Sequence, residues 1–350
     1  MTAETLVLSV DAMGGDHAPE SVMRGVALLA AEGRPVNFLL HGDEAQLRPY
    51  LDADPKVARA CEIAHTDKAV SMDAKPSQAL RGGKNSSMWN ALQAVKSGTA
   101  HVAISAGNTG ALMAMSKLVL RMVPGVHRPA LAASWPSPRG ASIVLDVGAN
   151  VEADAEQLVE FAIMGAAYSK AIHGKTDPSI GLLNIGSEEL KGIESVRQAA
   201  DMLKGNEFGL NYYGFVEGND ISMGTTDVVV TDGYTGNIAL KTAEGTAKLV
   251  GGFVKEALTS SILSKLGAVL ANAGLKQLKQ RLDPGNVNGG VFLGLNGIVL
   301  KSHGGTDAEG FATTLRLAYS VGNSTFHQDV EASLSRFQAS HPEAEEAVST

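Results

Sequence analysis

Short apolar runs alternate with helical patterns along this chain of 350 residues. Leu6–Val10 and His101–Ser105, for example, each lead into a polar turn and then into apolar residues at helical spacing. This alternation is typical of a parallel sheet that is covered by helices. The same pattern restarts at Ser142–Val147 and Asp154–Ile172 in the second half. We therefore predict an α/β fold, a Rossmann-like three-layer α/β/α arrangement with a mostly parallel sheet, as a single unit over residues 1–340.

Composition excludes several classes of protein. Hydrophobic residues make up 44% of the chain, and the formal net charge of −8 argues against nucleic-acid binding as the main role. The single cysteine, Cys61, and the lack of any Cys/His cluster or EF-hand indicate neither disulfides nor a metal site. No leader peptide and no run of about 20 apolar residues occurs, which predicts a cytoplasmic protein. The acidic tail, residues 341–350, is expected to be flexible.

Five of the predicted strands end in loops that are rich in Gly, Asn, Asp, Ser and Thr. In open α/β sheets, ligands bind at the carboxyl ends of the strands, where the N–H groups of the next helix attract anions. Any one loop could be an ordinary turn, but five at what we expect to be one edge of the sheet favour a binding site. The loops are Asp11–His17, Ser105–Gly110, Asp146–Asn150, Asn184–Glu188 and Thr231–Asn237.

The candidates for substrate binding come from these loops, from Lys241 just after the last of them, and from Ser302 in a later loop. Their glycines let the backbone turn sharply, and their polar side chains can form hydrogen bonds with a ligand. Neither a Walker A loop nor a G-x-G-x-x-G sequence occurs, so we predict no cofactor. A G-x-S-x-G sequence is also absent, so the sequence gives no support to a mechanism through a covalent serine ester. The candidates are Asp11, Gly14, Gly15, Asp16, His17, Ser105, Gly107, Asn108, Thr109, Gly110, Asp146, Asn150, Asn184, Asp232, Gly236, Lys241 and Ser302.

Cationic and proton-carrying side chains follow the same predicted strand ends. Lys191, Lys241 and His303 are the examples that we single out. A lysine can bind phosphate or stabilise a developing oxyanion, and a histidine can transfer a proton near neutral pH. The alternative for each lysine is an ordinary solvated side chain, which for Lys241 would lie on a helix surface.

At these loops the chain resembles the bacterial family of acyl-ACP:phosphate acyltransferases, from about Leu6 to Tyr319. The resemblance implies an enzyme that transfers a fatty acyl group from acyl carrier protein to inorganic phosphate. The acyl phosphate would then serve glycerol-3-phosphate acylation in phospholipid synthesis. The motifs that carry the resemblance are Val10–Asp16, Ser105–Gly110, Leu145–Asn150, Gly181–Gly186, Asp232–Asn237 and Leu293–Gly297.

The family is in turn similar to phosphotransacetylases, which implies a fold like theirs and like that of isopropylmalate dehydrogenase. Asp232–Asn237 with Lys241 is similar to one of their loops, and Ser302–Asp307 is similar to the loop that carries their catalytic groups. On this basis, Ser105–Gly110 and Asn237 would hold phosphate.

The implied reaction needs an anion site, a donor for the carbonyl oxyanion and a group that moves the proton, and we assign the remaining roles from these needs. Lys191 would carry phosphate or oxyanion charge, and either His303 or Asp307 would move the proton. Two other reactions stay open at this point: a phosphotransacylase that uses acyl-CoA, and a nicotinamide-dependent oxidoreductase on a related fold. A non-enzymatic scaffold at the membrane is the remaining alternative.

Phe253–Leu282 combines apolar residues at helical spacing with positive charge. We predict helices that mediate homodimerisation and reversible, peripheral membrane contact. The family resemblance implies the same membrane contact, and it implies that the product passes to a membrane glycerol-3-phosphate acyltransferase. The alternative is a helix that packs in the core. The apolar residues are Leu258, Ile262, Leu266, Val269 and Leu270, and the cations are Lys255, Lys265, Lys276, Lys279 and Arg281.

Overall fold

Eleven strands form one sheet in the computed structural model, which describes residues 5–205, 209–275 and 289–340. The strands are β1 (Leu6–Asp11), β2 (Val36–Gly42), β3 (Cys61–His65), β4 (Val102–Ser105), β5 (Ala130–Ser137), β6 (Gly140–Leu145), β7 (Ser179–Leu183), β8 (Asn211–Val216), β9 (Val228–Val230), β10 (Gly290–Leu293) and β11 (Ile298–Lys301). Their order across the sheet is β3-β2-β1-β4-β11-β10-β5-β6-β9-β7-β8.

Helices connect most of the strands. They are α1 (Glu20–Ala31), α2 (Glu44–Ala53), α3 (Pro55–Ala60), α4 (Pro76–Gly82), α5 (Ser87–Lys96), α6 (Thr109–Val119), α7 (Ala155–His173), α8 (Glu194–Lys204), α9 (Gly218–Met223), α10 (Gly233–Thr259), α11 (Ile262–Leu270), α12 (Ala308–Gly322) and α13 (Phe326–Ser340). Among the described residues, none of these helices combines the length and the apolar character that a membrane span requires.

Two apolar cores lie on the two faces of the sheet, because successive side chains of a strand point to opposite faces. Ile104 and Leu145 are buried on the face that α1, α7 and α12 cover. Their neighbours Ala103 and Val144 are buried on the face that α5 and α6 cover, together with Phe292. The predicted three-layer α/β/α architecture is therefore confirmed.

The strands change direction in the middle of the sheet. β4 and β11 run parallel to β1, whereas β10 runs antiparallel to both β11 and β5. A tight turn then makes β6 antiparallel to β5, and β9, β7 and β8 follow the direction of β6. The second group of parallel strands thus points opposite to β1, β4 and β11.

This reversal corrects the expectation that the five polar loops share one edge. The loops that begin at Asp11 and Ser105 lie at one edge of the sheet, and those that begin at Asp146, Asn184 and Thr231 lie at the opposite edge. The physical reason is the β5–β6 hairpin, which reverses the chain at the boundary between the two groups. The pattern of apolar runs carries no information about strand direction.

The helices α10 and α11 carry exposed apolar side chains. Only Gly233 and Gly236 of α10 are buried, and no residue of α11 is. Ile262 is 81% exposed and Leu266 is 59% exposed. The alternative of a core-packing stripe is therefore wrong for the described part of the Phe253–Leu282 segment, which is helical as predicted. Lys276, Lys279, Arg281, Leu282 and the tail 341–350 lie outside the described residues.

Candidate active site

Three loops meet at the carboxyl ends of β1, β4 and β11. Asp11 and Lys301 both pair with Ser105 in the register of the sheet, so the three side chains occupy one row. The Ser105 hydroxyl donates to Asp11 Oδ2 over 2.7 Å and accepts from the Gly107 N–H over 2.9 Å. The Ser302 N–H donates to the Ser105 carbonyl over 2.9 Å, which ties the third loop to the second.

Gly14 and Gly15 allow these loops to approach one another. A Cβ atom on Gly14 would lie 2.4 Å from Asp11 Oδ2 and 2.8 Å from the nitrogen of Gly107. Gly15 has φ +110°, a conformation that side chains disfavour. The neighbouring Asp16 N–H donates to the Gly304 carbonyl over 2.9 Å, while the Asp16 and His17 side chains are exposed. The paired glycines therefore serve close packing of the loops.

Lys301 is buried in this row, although the sequence alone indicated no role for it. Its ammonium donates to the Ala106 carbonyl over 3.3 Å and to the Ser302 carbonyl. Burial lowers the pKa of Lys301 to about 8, against the opposing effect of the Asp11 and Asp16 carboxylates. Burial also raises the pKa of Asp11. The signal in the sequence was a lysine at the end of an apolar run, directly before Ser302.

The N-terminus of α6 offers hydrogen-bond donors at the same edge. Asn108 caps the helix, since its Oδ1 accepts from the Ala111 N–H over 2.9 Å. Its Nδ2 donates to the Met72 and Ala74 carbonyls. The N–H groups of Thr109 and Gly110 belong to the first turn, where an α-helix supplies no intrahelical acceptor. With the positive end of the helix dipole, they form a site suited to an anion.

The long helix α10 brings a cation to this edge from the other half of the sheet. Lys241 Nζ lies 3.4 Å from His303 Nε2 and 2.8 Å from Glu244 Oε2. The Gly305 nitrogen lies 3.3 Å from His303 Nδ1. Burial, and then the charge of Lys241, lower the pKa of His303, which favours the neutral imidazole. A neutral imidazole both accepts and donates a proton, which suits proton transfer.

Two further predicted residues of the third loop have structural contacts as well. The Asp307 carboxylate caps α12 by accepting from the Gly310 N–H over 2.9 Å. Ser302 is buried, and its hydroxyl accepts from Thr314 Oγ1 over 3.1 Å. Both contacts fix the loop that presents His303.

Asp146 lies at the opposite edge and is enclosed by its own loop. Its Oδ1 accepts from the N–H groups of Leu131, Gly148 and Ala149 over 2.9–3.1 Å. Its Oδ2 accepts from the backbone and side-chain N–H groups of Asn150, each over 2.8 Å. Burial raises the pKa of Asp146 against these hydrogen bonds. The contacts indicate that Asp146 and Asn150 hold the shape of this loop.

The first turns of α10 rest on that loop. A Cβ atom on Gly236 would lie 1.9 Å from the Asp146 carbonyl oxygen, so only glycine fits there. Asn237 Nδ2 donates to the Val147 carbonyl over 3.1 Å. Asp232 caps the helix through the Thr235 N–H over 2.7 Å. These residues set the position from which α10 carries Lys241 to His303.

Asn184 and Lys191 belong to a loop that follows β7 at the same opposite edge. Asn184 Nδ2 donates to the Lys191 carbonyl over 3.0 Å, which closes the loop on itself. Lys191 Nζ lies 3.3 Å from Glu188 Oε1, and the Lys191 side chain is 50% exposed. The structure thus groups Lys241, His303 and Asp307 with the loops after β1 and β4, and places Lys191 and Asn237 on the other group of loops.

Comparisons with known proteins agree with this architecture. A family model described as "Fatty acid synthesis protein" matches residues 6–329. A "Phosphate acyltransferase" of Maricaulis maris is 57% identical over 346 residues, which cover 98% of each chain. A protein of the same name from Caulobacter vibrioides is 54% identical over 337 residues, 96% of this chain and 94% of that one. The chain belongs to the phosphate acyltransferase family. It is an acyltransferase, and the family resemblance seen in the loops is confirmed.

Solved phosphotransacetylases share the fold of this family member. One from Streptococcus pyogenes gives a TM-score of 0.61 at 17% identity, over 91% of this chain and 94% of that one. The EutD phosphotransacetylase from Staphylococcus aureus gives a TM-score of 0.58 at the same identity and coverage. The predicted likeness to the phosphotransacetylase fold is therefore confirmed.

Replacing Asp146 by Asn tests whether this carboxylate supports the loop. The amide NH₂ group of Asn must face at least two N–H donors that the carboxylate oxygens now accept. We expect the free energy of unfolding to fall by about 2–3 kcal/mol, measured by urea denaturation. Asp154→Asn is the control, because Asn caps α7 as well as Asp does. Wild-type stability with lost activity would instead indicate that Asp146 contacts substrate.

Lys301 should make stability depend on pH. Its pKa is about 8 in the folded protein and 10.5 as the ordinary value, so the folded state binds fewer protons between these limits. The free energy of unfolding therefore gains up to about 3 kcal/mol as the pH rises through this window, and loses it as the pH falls. Denaturation at several pH values compares the wild type with Lys301→Met, which should lack this slope. Equal slopes in the two proteins would contradict the assignment.

Proposed function

We propose that the protein transfers a fatty acyl group from the thioester of acyl carrier protein to inorganic phosphate. The acyl phosphate product would serve glycerol-3-phosphate acylation in phospholipid synthesis. The observation that carries the proposal is that the α6 N-terminus and the Lys241–His303 pair belong to one edge of the sheet, where the neighbouring strands β4 and β11 end. The name of the relatives supports the same reaction, since they are phosphate acyltransferases.

Phosphate would bind at the start of α6. The N–H groups of Thr109 and Gly110 and the Thr109 hydroxyl are donors for phosphate oxygens, and these residues are half-buried. Ser105, Gly107 and Asn108 hold the loop in shape through the contacts described above. Lys241 supplies positive charge from α10, where Glu244 is its only partner besides His303 among the ion pairs and hydrogen bonds of the described residues.

The reaction needs one attack and one proton transfer. A phosphate oxygen attacks the thioester carbonyl carbon, the C–O bond forms, and the C–S bond breaks. The proton of hydrogen phosphate passes to the leaving thiolate, with neutral His303 as the carrier between them. Asp307 is the alternative carrier, although it also caps α12.

Negative charge develops on the carbonyl oxygen during the attack, and a further hydrogen-bond donor is needed to stabilise it. We propose Lys191 or Asn237 for this role, because both lie on the loops of the second group of strands. The ion pair of Lys191 with Glu188 is exposed, so its rearrangement toward a substrate would cost little. Bound substrate would then bridge the two groups of loops.

A kinetic assay tests the reaction and the phosphate site together. Palmitoyl-carrier protein and phosphate should yield palmitoyl phosphate, detected by mass spectrometry, and palmitoyl-CoA should be the poorer donor. Thr109→Val should raise the KM for phosphate roughly 10-fold, because one hydrogen bond to a charged ligand is lost. Thr313→Val, at a half-buried position of α12, is the matched control. An unchanged phosphate KM in folded Thr109→Val would reject this site, and a preference for palmitoyl-CoA would favour a phosphotransacylase.

We further propose that α10 and α11 mediate homodimerisation and peripheral membrane contact, which would allow hand-off to a membrane glycerol-3-phosphate acyltransferase. Leu263, Val269 and Leu270 are 73–89% exposed, and such large exposed apolar side chains are typical of an interaction surface. Lys255 and Lys265 lie on the same helices and would favour anionic lipid.

Leu266→Glu combined with Val269→Glu tests the membrane contact. The variant should remain folded and active but should no longer sediment with anionic vesicles, because charged side chains do not enter the apolar part of a lipid surface. Leu118→Glu with Met223→Glu is the control, since both residues are exposed and lie outside α10 and α11. Unchanged sedimentation would exclude this segment as the membrane anchor. Sedimentation equilibrium on both variants reports whether the same side chains hold a dimer.

A further inference from the structure

Acidic residues are absent from a long internal stretch of this acidic protein. Residues 74–145 contain eight lysine and arginine residues and no aspartate or glutamate. All 37 acidic residues of the chain lie elsewhere, together with 21 of the 29 basic ones. Along this part of the chain the charge is of one sign, positive, although the overall charge of the protein is negative.

A segment that begins just before this stretch and overlaps its start crosses the edge of the sheet where the candidate site lies. We call residues 68–84, which connect β3 to α5 and include α4, the basic strap. Its four cations are exposed, and none of them forms an ion pair within the described part of the chain. They are Lys68, Lys75, Arg81 and Lys84. Asp73 is the only acidic residue in the sequence of the basic strap.

The basic strap is fixed directly beside the proposed phosphate site. Asn108, the cap of α6, donates to the Met72 and Ala74 carbonyls over 2.5 and 3.2 Å. A Cβ atom on Gly110 would lie 2.9 Å from Pro76 Cγ, and one on Gly304 would lie 2.6 Å from Met72 Cε. The basic strap therefore touches both the loop after β4 and the loop that carries His303.

We propose that the basic strap is the docking surface for the acidic protein that delivers the acyl group. The inference rests on the proposed function, in which that protein is acyl carrier protein. Positive charge beside the site would attract an acidic surface, speed encounter and orient the thioester toward the start of α6. The interaction would weaken with added salt, because the charges are exposed.

The other cations of the acid-free stretch provide a matched comparison. Lys96 and Lys117 are exposed in the last turns of α5 and α6, and they lie toward the opposite edge of this half of the sheet. Arg81 also lies in the last turn of its helix, α4. Two double variants can therefore be compared. One is Arg81→Glu with Lys84→Glu, and the other is Lys96→Glu with Lys117→Glu. Both change the total charge equally, but they do so at different distances from the site.

The experiment measures kcat/KM with palmitoyl-carrier protein and with a palmitoyl thioester of N-acetylcysteamine, which lacks a protein surface. Arg81→Glu with Lys84→Glu should lower kcat/KM for the carrier substrate at least roughly 10-fold through KM, and should flatten its salt dependence. The small thioester should react as it does with the wild type. Lys96→Glu with Lys117→Glu should leave both values unchanged. Arg81→Gln with Lys84→Gln repeats the test with a smaller perturbation of the fold.

Different results would contradict the proposed docking surface and the proposed function. If the wild type converts the carrier substrate and both double variants do so equally well, the basic strap is not the docking surface. If the basic-strap variant instead loses only sedimentation with anionic vesicles, the basic strap contacts lipid and the proposal is wrong. If the wild type converts neither thioester in the presence of phosphate, the proposed function itself fails.

Discussion

The reversal of strand direction at β10, β5 and β6 constrains everything else in this structure. Parallel strands present their carboxyl ends at one edge, so two groups of opposite direction present theirs at two edges. A site that uses both groups therefore needs an element that crosses the sheet. α10 is that element, because it begins at Asp232 beside the loop of Asp146 and reaches His303 with Lys241.

The dimensions make this crossing possible. Lys241 lies eight positions after Gly233, and an α-helix rises about 12 Å over that length. The central strand β10 has four residues, which span about 13 Å. One end of the helix is seated by close backbone contacts at Gly233 and Gly236, so the position of Lys241 is set by packing at the far edge.

Buried polar groups hold the two sets of loops by different means. At the first edge, Asp11, Ser105 and Lys301 form a row in which opposite charges offset part of the cost of their burial. At the second edge, the Asp146 carboxylate has no cationic partner among its hydrogen bonds and is stabilised by five N–H donors instead. Both arrangements fix backbone shape.

The sequence by itself determined the α/β class, the alternation of strands and helices in both halves, and the family, because apolar periodicity and turn chemistry are local properties. It gave no strand at β5, whose Ala130–Ser137 run lacks the β-branched residues that mark a strand. It also identified His303 and Lys241 as candidates, since both stand beside glycine-rich turns. Only the tertiary structure decided which loops share an edge, that Lys301 is buried beside Asp11, and that the stripe of α11 is exposed. Each of these depends on strand direction or on contacts between residues far apart in sequence, and no local pattern encodes them.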